Sequence, residues 1–559
     1  MRYKLTAVRF FKFFLAALPL CGIALFSVLL APANTATYTS SEDGAWATNA
    51  TWGGGGYPVD GDTAKIAGHT VTVSTTAAAT TLIFSANGAT LTVNAPLTIS
   101  GQITLNNIAG VNVTGTIDGT REISAGNIKV GSGAVPSATR THTLALTGTN
   151  VITSSGELWV ASRVFSGALA NGTLSLQTAN LIVNGSMRTT NTSANNVSLV
   201  TMATGAQSGT LQLGGATPWN LSGTGTSTIT LNGTTAVVDY NSSSAQTVLG
   251  TTYTTLKINN TNTSGTSLGA SSIVSGLIIG DVAASKLNLS TKAFTNTGTT
   301  SVTGTLEDSS STGGNLFTGL ITINNNGNWT STGNSTYEIR GGITNNGTFS
   351  APGTGTYTFN TNNQTIQGAN AVNIGRTTVT TITLTNACAS LTVATLDGTG
   401  GLTQNTDTNL YVSGNWSIAA LTASASGNTV YFDGSGLQTL NSGGVSNSFN
   451  NLTHSGAGTL QLLTNALDIN GNFTNSAGTF STNNLNIILS GDWTNNSAFT
   501  SGTGTVTFDG NTPSTIRGST TFHHLSCVTF GKAITFEAGS VQTIEAGATW
   551  NFKGNEVGL

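Results

Sequence analysis

The residues that invite a chemical reading lie near the front, in "WATNATWGGGGYPVDGDTAKIAGHTVTV" (Trp46 to Val73). Four consecutive glycines suggest a phosphate cradle, but that motif needs a Lys and Ser/Thr opening a helix, and Gly53–Gly56 run into Tyr57-Pro58. Asp60 and Asp62 are hard oxygen ligands and stand as the calcium candidates, the one cofactor the sequence leaves open. The competing reading is a turn. Pro58 and Gly61 set it, Asp62 accepts backbone N–H groups, and Trp46 and Trp52 cover an apolar end. His69 reads as an ordinary strand residue.

Further along, "HHLSC" offers His523, His524 and Cys527, but neighbouring histidines on a strand point to opposite faces and do not share one ion. Glu307-Asp308 precede a serine run and read as a loop. In "ELWVASR", Glu157, Trp159 and Arg163 fall on one face of a strand, where a charge-flanked indole could stack on a sugar; the competing reading is an outward ladder position. A glycosidase needs two carboxylates about 5–10 Å apart. From Gly341 to Thr505 the charged residues are Arg376, Asp397, Asp407, Asp433, Asp468 and Asp492, too sparse for a catalytic cluster. No catalytic residue is expected, and a carbohydrate-active enzyme is the alternative.

What must position such residues is a chain of short strands. Charged residues are 7% of the 559, and the net charge of −3 provides no basic patch for nucleic acid. "TVTV", "ATLTVNAPLTISGQITL" and "GTVTF" alternate apolar with Thr, Ser or Asn, the period of a half-buried strand, and Gly, Asn and Asp punctuate them. The class is all-β.

Repeats choose the architecture. "VYFDGSGLQTL" (Val430 to Leu440) matches "VTFDGNTPSTI" (Val506 to Ile516), with weaker copies at Tyr357 to Ile366 and Val237 to Val248. Their aromatics are Tyr240, Phe359, Phe432 and Phe508, and Gln246, Gln364, Gln438 or Ser514 follows. A second marker, Gly-Asn/Asp-Trp/Phe, recurs at Trp329, Trp416, Phe473 and Trp493. A unit of about 75 residues suits three or four solenoid coils of roughly 20–25 residues. Like charges stacked coil upon coil about 4.8 Å apart would repel, which fits the low charge. The expected fold is a single long parallel β-helix, right-handed by the general rule for parallel crossovers. Tandem β-sandwich domains are the alternative.

The N-terminus carries Arg2, Lys4, Arg9 and Lys12, then an apolar run from Phe13 to Leu30, then "APA" (Ala31 to Ala33), the order of a secretory signal. If uncleaved it would be the chain's only membrane attachment. Cys388 and Cys527 read as single buried thiols. The expected organisation is a signal over 1–33, a cap with first strands over 34–75, irregular coils over 76–236 and repeat-bearing coils over 237–559. Further domains are expected after Leu559, because "WNFKGNEVGL" adds no polar cap.

The order Trp52, Pro58, Gly61-Asp62, Ile66, Gly68 and Val71 to Val73 resembles the opening of the eight-glycine domain of extracellular β-helix proteins. "GTVTFDG", "QTI" and "GNW" resemble the repeats of bacterial secreted and surface proteins of adhesin type. That resemblance implies an extracellular or cell-surface solenoid whose partners are carbohydrate or another cell surface.

Overall fold

The computed structural model describes residues 35–105, 111–131, 140–160, 163–165, 168–191, 197–202, 208–223, 226–281, 283–310, 312–423 and 427–553. They form a β-solenoid of about 21 turns. At one strand spacing per turn the axis runs on the order of 100 Å. Stacked strands pair in parallel, each residue over its counterpart one coil earlier, as in Leu452↔Phe473 and Phe473↔Trp493. The antiparallel pairing among the described residues is Arg163–Phe165 with Ala168–Leu176. Sandwich domains are built from antiparallel sheets, so that alternative is excluded.

Each coil has three faces. Face 1 runs through strands Thr429–Phe432, Asn451–His454 and Phe473–Asn475; face 2 through Leu437–Leu440, Thr459–Leu462 and Thr479–Ser481. Face 3 runs through Leu467–Ile469, Ile487–Leu489 and Thr505–Phe508. The period-two pattern decides what points inward. In Thr429–Phe432, Val430 and Phe432 are buried and Tyr431 is not.

Coil length divides the molecule. Face 3 advances 29, 29, 30 and 27 residues per turn along Ala125, Ser154, Val183, Leu213 and Tyr240. The next step, Tyr240 to Ile258, is 18. From Thr247 to Arg517 face 1 advances 19 to 23 per turn. The expected 20–25 residues thus suits the later coils, and the earlier ones are wider.

The repeat marks corners rather than a fixed face. Its aromatics Tyr240, Phe359, Phe432 and Phe508 are all fully buried. The following Gln turns inward and donates to the previous coil's carbonyls: Gln246 to Leu213 and Gly215 (2.7 and 2.8 Å), Gln438 to Val412 and Gly414 (2.8 and 2.9 Å), and Gln364 to Ile339 (2.8 Å). Ser514, shorter, bonds Ser490 O at 3.3 Å. Yet the copies pass from face 3 to 1, 2 to 3, 1 to 2 and 3 to 1. The motif is a corner lock that serves any of the three corners, so its period need not be a whole number of coils.

Candidate functional site

Two clusters hold most of the residues singled out by sequence. The first closes the N-terminal end. A 3-10 turn, Asn49–Trp52, places the rings of Trp46 and Trp52 edge to face at 5.3 Å, both buried. The Trp52 indole donates to Trp46 O (2.7 Å) and that of Trp46 to Pro58 O (3.1 Å), so neither N–H is orphaned. Asp62 is buried and accepts Ala36 N–H on one oxygen (2.9 Å) and Val59 N–H on the other (3.1 Å). Gly61, at φ +100°, takes a backbone conformation that side chains disfavour, and its N–H donates to Asp60 Oδ1 at 3.1 Å. Ser100 also donates to Asp60. These contacts are those of a turn, and both carboxylates are engaged in them. His69 Nδ1 meets Ser40 Oγ at 2.9 Å, tying two coils.

The second cluster surrounds Trp159 on strand Leu158–Val160. Arg163 is not on that strand; it opens Arg163–Phe165, which pairs antiparallel with the following strand. The expectation that Glu157, Trp159 and Arg163 share a face failed because the chain turns a corner after Val160. The cations come instead from the coils on either side. Lys129 and Arg188 are in register with Trp159, with Lys129 Nζ 5.1 Å and Arg188 Cζ 4.9 Å from its ring centroid. Glu157 closes the group, pairing with Arg188 at 3.2 Å and accepting the Trp159 indole N–H. Each ring face is covered by a cation, a cation–π sandwich that fills the positions where a sugar would stack. Sequence reasoning missed Lys129 and Arg188, which lie 30 residues before and 29 after Trp159; a known coil length would have found both.

The remaining candidates separate. Glu307 and Asp308 lie in strand Thr305–Asp308, not in a loop, and face opposite ways. Glu307 faces out and pairs with Lys286. Asp308 is buried, accepting Ser310 N–H (2.9 Å), Asn315 Nδ2 (3.2 Å) and the Tyr337 hydroxyl (2.6 Å). Burial pushes the Tyr337 phenol far up, reinforced by neighbouring Tyr357 and Asp308, so it stays a donor. His523 sits at a corner between two strands, so both it and His524 lie outside, rings 4.3 Å apart. His523 Nδ1 meets Glu545 (3.0 Å), and His524 Nδ1 accepts Thr549 N–H (3.0 Å). The His523 and Ser501 contacts hold the Glu545 carboxyl below its usual range. Cys388 and Cys527 are buried free thiols. Among the described residues no three His, Cys, Asp or Glu side chains converge as metal ligands would.

A third region was not legible as a motif. Where wide coils give way to narrow ones, a notch of about 360 Å³ opens between residues 216–219 and Thr247–Gly250. Its walls carry no charge. No protein family, curated protein or solved structure matches the chain.

Proposed function

We propose that the chain is an exported, non-catalytic surface rod of adhesive type that holds carbohydrate or another cell surface through polyvalent hydrogen bonds. The observation that carries this reading is the outward column of face 1. From Thr392 through Tyr411, Tyr431, Thr453 and Thr474 to Thr494 it presents hydroxyl groups in register on consecutive coils, without a charge. Successive hydroxyls repeat at the strand spacing of about 4.8 Å, so a polymer lying along the axis meets many weak donors and acceptors at once. Charges elsewhere are largely neutralised in pairs, such as Arg376–Asp397 at 2.7 Å and Arg517–Asp492 at 2.6 Å. The leader-like segment over 1–33 supports export.

Purified full-length chain should bind immobilised neutral polysaccharides or intact cells with little dependence on salt. Replacing Thr453 and Thr474 together by Lys should reduce that binding at least tenfold. Absence of binding to glycan, cell and matrix surfaces alike, or binding abolished by moderate salt, overturns the reading.

A further inference from the structure

Face 1 pairs coil to coil on both sides of the step in coil width but not across it. Strand Trp219–Gly223 pairs with Met187–Asn191 behind it, and strand Gln246–Val248 pairs with Thr266–Leu268 ahead of it. Among the described residues these two strands pair with nothing else on face 1. On face 2, Thr226–Thr230 pairs with Val197–Thr201 and meets the next coil only through the single bridge Leu231↔Tyr253. The wide coil therefore ends on a ledge with an open strand edge, in the middle of the rod rather than at its end.

Strand alternation shows which groups are open. Met187 N–H donates to Pro218 O at 2.8 Å. In a parallel ladder the backbone groups of alternate residues point the same way, so those of Asn220 and Ser222 also face the Met187 coil. The N–H and C=O of Trp219, Leu221 and Gly223 then face the gap. The notch lies along that edge, walled by Pro218 and Trp219 on one side and Val248 and Leu249 on the other, with Gly269 and Ala270 beside them. Trp219 occupies an inward position, in register with buried Met187, yet remains half-buried because no strand follows it. Its indole donates to the Tyr240 hydroxyl at 2.9 Å, which Leu249 N–H and the Tyr253 hydroxyl also hold (both 3.0 Å), so the ring is fixed in place. Leu221 is 40% exposed.

We propose that this ledge takes an extended polypeptide segment of a partner protein as an added strand, with one apolar side chain seated in the notch beside Trp219. A row of alternating peptide N–H and C=O groups is matched in series by another backbone, and side-chain pockets along it give selectivity. The uncharged walls favour an uncharged segment, since a desolvated charge there would have no counter-charge. Open strand edges are a liability unless covered, and this one lacks the charged side chains, prolines or bulges that blunt edges elsewhere. The site is separate from the hydroxyl column of face 1 and does not depend on it.

Hydrogen exchange on the full chain tests the proposal, using as probe a capped octapeptide of alternating Val and Thr at millimolar concentration. The amides of Trp219, Leu221 and Gly223 should exchange rapidly alone and at least tenfold more slowly with the peptide. The same peptide N-methylated at alternate residues should protect nothing. Leu221→Pro should abolish protection and Leu221→Thr keep it, with exchange in Met187–Asn191 unchanged in both to show an intact neighbouring ladder. Four results would each overturn the proposal: slow exchange without peptide, no protection with it, equal protection by the methylated peptide, or protection by neutral oligosaccharides. Protection that rises with protein concentration alone would assign the edge to a second copy and likewise overturn it.

Discussion

The wide coils between Leu97 and Leu213 and the narrow coils after Tyr240 solve one packing problem in opposite ways. Among the described residues the wide core holds Val, Ile, Leu, Ala and Met without a buried aromatic ring. The narrow core is threaded with rings: Phe473 to Trp493 at 4.4 Å, Trp493 to Phe522 at 5.3 Å, Trp329 stacked on Phe349 at 5.0 Å, and Tyr337 on Tyr357 at 4.6 Å. Coil length is the cause. A wide coil carries long strands such as Ala168–Leu176, so many inward positions share the interior and aliphatic side chains fill it. A short coil has fewer inward positions, so each must bring more volume. Charge follows the same division: the wide region arranges Lys129, Trp159 and Arg188 across three coils, whereas the later face 1 column is mostly hydroxyl.

The largest test removes a ring from the narrow core. Trp493→Ala should destabilise the surrounding coils by about 3–5 kcal/mol, because the ring contacts Phe473, Phe499 and Phe522 and the cavity cannot collapse around stacked neighbours. Ile128→Val in the wide core should cost only about 0.5–1.5 kcal/mol. Local denaturant unfolding followed by hydrogen exchange reads both. Similar costs would mean that the two cores are packed alike.

Buried histidines sharpen the contrast through pH. His142 points into the wide core, its Nδ1 without a partner, and burial, assisted by the Arg140 charge, lowers its pKa from 6.5 to about 4. The unfolded chain therefore binds the proton first. Stability falls as pH drops below about 6.5, and the loss is complete below about 4, amounting to about 3 kcal/mol. In the narrow core, His454 is also lowered by burial, but its Nδ1 meets Asn475 at 2.8 Å, a hydrogen bond that opposes the shift. Asn475 in turn donates to Asn495 at 2.8 Å, so narrow coils satisfy inward polar groups by ladders. In a pH series, exchange in Arg140–Leu146 should accelerate between pH 6.5 and 4, and His142→Val should flatten that response. An unchanged acid response in the variant would place the titrating group elsewhere.

Much of this was legible in the sequence, and the limits are physical. The alternation of Thr with Val or Ile fixed which side chains are inward, and the repeats at Tyr240, Phe359, Phe432 and Phe508 identified corner residues before any coordinate. What the repeats could not reveal is which corner each copy serves, because a lock made to backbone carbonyls works equally at all three. Residues that meet across coils were likewise hidden. Arg163, near in sequence, was favoured over Arg188, near in space, because spacing along a strand is fixed by the backbone whereas spacing between coils depends on a turn length that changes along this chain. The notch at Trp219 escaped for the same reason: it is created by a change of coil width, not by a motif.

The corner lock gives a further test, smaller in effect. Gln438 is buried and its amide also accepts Gly434 N–H at 2.9 Å, so Gln438→Ala strands two carbonyls and an N–H. The expected cost is about 1–3 kcal/mol, measured as accelerated exchange at the corner between Phe432 and Leu437. Gln246→Ala, at the step between regions, should loosen the wide coil's last corner as well as its own. A purely local response there would show that the two regions are coupled only through the strand ladder of face 3.

The smallest effect belongs to the most conspicuous surface group. Arg188→Ala removes one cation from Trp159 and one partner from Glu157, both about one-third exposed pairs in which solvent screens the charges. The loss should be about 0.5–1 kcal/mol and should shrink as salt is added. The same substitution uncovers one face of the indole. If the cation sandwich alone keeps sugars away from Trp159, the variant should gain weak binding to neutral oligosaccharides, read as chemical-shift changes of the Trp159 indole N–H, while the parent chain shows none there. A parent chain that binds sugar at Trp159 would mean that Lys129 and Arg188 swing aside readily, and would move the adhesive surface from the narrow coils to the wide ones.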